Sequence, residues 1–192
     1  MSKLKNLSEL LIYEGRQLYD STCQELTVLP DIVEIATSKN LKKIILKQIR
    51  LAERQQKNIL LAFDKLEMSC DMEKCKTTMA ILQRMHHLIR HTSTSEAKDA
   101  GIISSLQQLS HRKIAGFGTV ATYGMQTDQK FVAIFFHKAL EDEIKIDNQL
   151  SMIAEKYINK NALHVPGTEN HEPTYYDEWT KNRATPWIVS AR

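Results

Sequence analysis

The sequence of 192 residues predicts an all-α fold, an antiparallel bundle of long helices. Apolar residues recur every three or four positions through most of the first 160 residues, the repeat of a single helix face. Turn material is scarce: the chain holds six glycines, and Pro30 is the one proline before residue 160. The periodic segments divide into five long helices with short connections, and such helices pack as antiparallel neighbours.

Leu4, Leu7, Leu11, Leu18 and Thr22 mark the first helix, which Pro30 is expected to stop, with a short helical turn following from Asp31 to Thr37. Ser38 suits the N-cap of a second helix that reaches about Glu67. Its inner stripe holds Leu41, Ile45, Ala52, Ile59, Ala62 and Leu66, and also Gln48 and Gln55. A third helix, capped by Ser69 or Asp71, runs from about Met72 to His91, with Cys75, Met79, Leu82 and Leu88 or Ile89 on its apolar side. The cluster Thr92-Ser93-Thr94-Ser95 reads as loop and cap.

The fourth helix is expected from about Ser95 to Tyr123, closing at Gly124. Ile103, Leu106, Ser110, Lys113, Phe117 and Val120 share one of its faces, so a lysine stands in a core stripe and needs a partner. The fifth helix starts near Thr127-Asp128 and runs to about Lys160, with Val132, Phe135, Ala139, Asp142, Ile146, Ile153 and Tyr157 inward. Residues 1–160 thus form the bundle and residues 161–192 a C-terminal tail.

That tail carries three of the four prolines, both tryptophans, Trp179 and Trp187, and also Tyr175 and Tyr176. Disordered segments are poor in aromatics, so these residues are expected to dock on the bundle, on a second subunit or on another protein, the alternative being an expression scar or a plain flexible end.

Charge excludes some classes of function. The formal net charge is +3, and lysines and arginines alternate with acids, which argues against nucleic acid as a partner. No apolar run approaches the ~20 residues that span a bilayer, and the start lacks the apolar core of a signal peptide. Cys23, Cys70 and Cys75 are odd in number and lack CxxC spacing, which fits free thiols in a reducing, cytoplasmic compartment. Cys70 and Cys75 lie close enough in sequence to suggest a redox switch, against the simpler reading of small core side chains.

His87 and His91, with His86 beside them, have a one-turn spacing that can bind a transition metal, but no acid or thiol lies nearby in sequence and a surface pair is the default. His137 and Glu141 have the same spacing and read as a surface pair. Gly116 and Gly118 fall mid-helix, where close packing explains them better than phosphate binding.

The run Ile114-Ala115-Gly116-Phe117-Gly118-Thr119, with His111 just before it, resembles the signature of the YciE/YciF-type ferritin-like family. Glu14, Leu18-Tyr19-Asp20 and Leu29-Pro30 resemble its first helix, and Leu140-Glu141-Asp142-Glu143 followed by Asp147 its last. The third helix matches loosely through Cys75 and Met79, with one residue too many between them, and the resemblance covers about residues 4 to 160. It implies a ferritin-like four-helix bundle with an accessory helix, usually dimeric, and a di-metal centre of inward carboxylates and histidine.

Carried over residue by residue, most of that centre is absent. Its positions fall on Thr22, Gln48, Leu51, Gln55, Met85, Ser110 and Lys113, whereas Glu14, His111, Asp142 and Glu143 remain as residual candidates. The expectation is no metal, with the Lys113 ammonium standing in the cation's place. Asp142 or Glu143 would balance it, and Gln55 and Ser110 would complete its hydrogen bonds. A slightly rotated fourth helix would instead let Lys113 reach solvent.

By resemblance the function expected is a non-catalytic, stress-linked binding or structural homodimer. The alternatives are residual iron or manganese chemistry, as oxidase or store, or a polar pocket for a small ligand.

Overall fold

The computed structural model describes residues 3–71 and 73–163. Among them lie five long helices and no strand: α1 (Leu7–Ile35), α2 (Lys39–Lys65), α3 (Lys76–His91), α4 (Ser95–Gln126) and α5 (Lys130–Ile153). A π turn (Ala154–Ile158) and the short α6 (Asn159–Ala162) extend α5 slightly past the expected end near Lys160. The tail residues Tyr175, Tyr176, Trp179 and Trp187 lie outside the described residues.

Four helices make the bundle. α1 pairs with α2 and α4 with α5, while α2 packs on α5 and α1 on α4. α3 is the accessory helix and lies against α4 and α1. One surface depression is lined by Leu4 before α1 and Leu11 in its early turns, Leu66 after α2, Thr127 after α4 and Gln129 before α5. Those ends therefore meet at one end of the bundle, so neighbours in the square are antiparallel and α3 carries the chain back to the other end.

The inner stripes step by 4 and 3 with the regularity of a heptad. They run through Leu18, Thr22, Glu25, Leu29 and Ile32 on α1, and through Ile103, Leu106, Ser110, Lys113, Phe117 and Val120 on α4, all buried. That repeat favours shallow crossings with side chains of one helix in the hollows of the next.

Several boundaries differ from expectation. Pro30 lies inside α1, because it is exposed and the carbonyl it leaves free can face water, while buried Leu29 and Ile32 hold the helix on the core. α3 begins at Lys76 with Cys75, instead of Ser69 or Asp71, at the cap position; the Cys75 amide donates to buried Asp20 at 2.7 Å. Met79 on α3 is exposed, and Met85 fills the core in its stead. α4 continues through Gly124, where the helix needs a small residue: a Cβ there would sit 3.0 Å from the Ala133 nitrogen. The left-handed residue of that turn is Asp128, at φ 59°.

Ser38 caps α2 as expected, accepting from the Leu41 amide at 3.4 Å. Asp99 of α4 braces the same turn, accepting from the Thr37 amide and hydroxyl at 2.9 and 2.7 Å and from the Ser38 amide at 2.7 Å.

Candidate functional site

The bundle interior is two apolar clusters. One contains Leu29, Ile45, Leu109 and Ile146, the other Leu18, Ile59, Phe117 and Ala139. Between them every main helix places polar side chains on its inner stripe: Glu25 from α1, Gln48 and Gln55 from α2, Ser110 and Lys113 from α4, and Glu143 from α5. All six are buried; Glu25, Lys113 and Glu143 have no solvent exposure.

Lys113 is the hub of this layer. Its Nζ lies 2.7 Å from Glu25 Oε2 and 2.7 Å from Glu143 Oε1, and it donates to Gln55 Oε1 at 3.4 Å. Gln55 in turn donates through Nε2 to Glu143 Oε1 at 2.8 Å. The ammonium thus joins α1, α2, α4 and α5 through three acceptors, the full donor capacity of a lysine.

Burial alone would lower the Lys113 pKa, but Glu143 and Glu25 outweigh it and raise the value above the ordinary one, so the side chain is a cation at neutral pH. Burial pushes the Glu25 pKa up; the Lys113 charge opposes this and the Glu143 charge adds to it. Two carboxylates share one ammonium, and Glu25 is held above the usual carboxylate range.

The layer is not saturated. Glu25 Oε1, Glu143 Oε2, Ser110 Oγ and both amide atoms of Gln48 find no hydrogen-bond partner among the described residues. Gln48 nonetheless lies near enough to Glu25 to favour its ionised form.

Sequence reasoning placed Gln48, Gln55, Ser110, Lys113 and Glu143 here, and the structure brings them together; Thr22 and Met85 are also buried in the core. Thr22 turns its hydroxyl to the Tyr19 carbonyl at 2.7 Å. Of the residual candidates only Glu143 joins the layer. Asp142 points to the surface, where Arg54 lies at 3.0 Å and Lys138 and Lys145 at 3.5 Å. The inner stripe of α5 is accordingly Val132, Phe136, Ala139, Glu143 and Ile146, and Phe135 and Tyr157 are not part of the buried face. His111 is exposed and pairs with Asp147 at 3.1 Å. Glu14 is half-buried and stands eleven residues before Glu25 on α1, about 16 Å along the axis.

Glu25 is the member that sequence reasoning missed. Continuing the stripe Leu18, Thr22 by three residues reaches it, and Leu29 and Ile32 follow in step.

The remaining clusters are simpler. His87 and His91 stack with ring centroids 4.0 Å apart, and His91 Nδ1 contacts the His87 carbonyl. His137 and Glu141 form an exposed pair at 3.8 Å. Cys75 is buried and donates to Thr78 Oγ1 at 3.3 Å, and burial pushes the Cys70 thiol up to about 11, which keeps it protonated at neutral pH.

The donor set does not suit a pair of divalent cations. The one cationic group is an ammonium bonded to both carboxylates, and it offers no lone pair. Among the described residues no group of three or more histidine, cysteine, aspartate or glutamate side chains is arranged to hold a metal. No helix of the described residues is long and apolar enough to cross a membrane.

Residues 6–163 match the family described as a domain of unknown function, DUF892. Over 89 residues the chain is 30% identical to protein YciF of Escherichia coli K12. That segment is 46% of this chain and 54% of the relative, so the match spans about half the relative's length. The crystal structure of the E. coli stress protein YciF superposes with a TM-score of 0.78 at 22% identity, over 82% of this chain and 99% of that one. YcfI from Rhodopseudomonas palustris superposes with a TM-score of 0.75 at 20% identity, over 77% and 94%. Both likenesses are of fold.

Proposed function

Because the chain belongs to the DUF892 family of YciE/YciF-type ferritin-like bundles, we propose that it is a member in which a protein cation has replaced the di-metal centre. It then serves as a non-catalytic scaffold, a binding or structural protein that forms a homodimer. One observation carries this reading: the buried Lys113 ammonium lies 2.7 Å from both interior carboxylates, where each metal of a di-metal pair would need those oxygens for itself. A link to stress follows from the E. coli relative, which is called a stress protein.

The unpartnered oxygens of Glu25, Glu143 and Ser110 support a second reading, in which the layer holds a small polar guest, water being the smallest. Residual iron or manganese chemistry has less support, because Glu14, His111 and Asp142 stand apart from Glu143.

Metal analysis after anaerobic loading with iron(II) or manganese(II) tests the proposal. Substoichiometric metal that gel filtration strips away is expected. Two tightly held ions per chain would overturn it. Sedimentation equilibrium checks the dimer, and a monomer at all concentrations would remove that part.

A further inference from the structure

Outside the polar layer, an apolar recess lies on the outer face of α4 and α5. Gly118, Met125, Ile134 and Leu140 line a groove of about 670 Å³ whose walls also include the polar His137 and Glu141. Ile134 is 68% exposed and Met125 59%, more than any other large hydrophobic side chain of the described residues. Phe131, one turn before Ile134, is also exposed and rests edge-on against Phe135 with centroids 4.4 Å apart. Gly118 opens the floor, since a Cβ there would meet only Leu140 at 3.7 Å. Large apolar side chains this exposed beside an apolar groove mark a surface suited to a covering partner.

One or two aromatic side chains fill a groove of this volume. The chain holds them beyond the described residues: both of its tryptophans follow Leu163, and Trp187 is part of the apolar run Trp187-Ile188-Val189.

Reach agrees with this. Ile134 and Leu163 are separated by 29 residues, about 44 Å of helix. The 24 residues from Leu163 to Trp187 span up to about 79 Å when extended, leaving slack, whereas the 16 to Trp179 span about 53 Å and leave little.

We propose that the segment around Trp187 docks in the α4–α5 groove of its own chain, with the indole between Met125 and Ile134 above Gly118. This is independent of the reading of the polar layer.

The test uses the full chain and intrinsic fluorescence, because all tryptophan emission arises from this segment. In a Trp179→Phe variant Trp187 is the sole tryptophan. Its emission is expected to be blue-shifted against a free peptide of residues 164–192, and to be quenched several-fold less by acrylamide. Adding Ile134→Asp, on an exposed side chain, should return both to the peptide values while the helical circular dichroism stays intact. Peptide-like emission without Ile134→Asp, or blue-shifted emission that Ile134→Asp leaves unmoved, overturns the proposal. Emission that shifts red on dilution overturns the same-chain assignment and gives the groove to a second copy.

Discussion

Lys113 and Glu25, 88 residues apart in the chain, meet at 2.7 Å where neither has any solvent exposure. Taking either charge from water costs several kcal/mol, and their contact together with Glu143 and Gln55 offsets it. Breaking the set is therefore more damaging than removing it whole.

Lys113→Met strands two interior carboxylates. It should lower stability at neutral pH by about 3–5 kcal/mol in denaturant unfolding, with the deficit shrinking on acidification as protonation removes the stranded charge. The triple variant Lys113→Met, Glu25→Gln, Glu143→Gln should recover most of the loss. Unchanged stability in Lys113→Met would mean that the ammonium does not hold the layer.

Glu25 gives the layer a pH signature. Its pKa is raised in the folded protein, so the native state holds that proton more tightly than the unfolded chain does. Its contribution is complete below the ordinary carboxylate value and is lost as pH rises through the elevated one. As pH rises above the ordinary carboxylate value, the wild-type protein should lose more stability than Glu25→Gln does. Equal slopes for the two proteins would contradict the raised value.

Asp99 secures the turn between α1 and α2 with three charge-assisted hydrogen bonds from Thr37 and Ser38. Asp99→Ala leaves two amides and a hydroxyl without their acceptor and should cost about 2–4 kcal/mol. Hydrogen exchange should report first at the start of α2, and a uniform loss of protection would speak against this local role.

Two glycines should respond oppositely to alanine. At Gly101 a Cβ would meet Leu88 at an ordinary 3.5 Å, so Gly101→Ala should stabilise by about 0.5–1 kcal/mol through helix preference. At Gly124 the obstacle is the Ala133 backbone at 3.0 Å, which cannot swing aside. Gly124→Ala should destabilise by about 1–2 kcal/mol despite the same preference. Thermal melts of both variants decide the matter.

The sequence shows the helices and most of the polar layer, because a 4-and-3 stripe survives when its members are polar. Gln48, Gln55, Ser110 and Lys113 were all found by that periodicity. The step on α5 was less legible. Val132, Ala139 and Ile146 fit both a stripe through Phe135 and Asp142 and one through Phe136 and Glu143, and the burial of the second pair, with Arg54 and Lys145 beside Asp142, separates them. Glu25 was hidden by the resemblance, which drew attention to Thr22 one turn earlier. Helix ends set by tertiary contacts, such as Gly124 against Ala133 and Cys75 held by Asp20, leave no local signal.

The position of Lys113 also constrains how this interior can evolve. Exchanging it for an acid in one step would crowd three carboxylates into a dry space with no counter-charge, so they would have to take up protons for the bundle to stay folded. The centre of the bundle therefore tolerates a concerted change of the ammonium and its two carboxylates better than the loss of the ammonium alone.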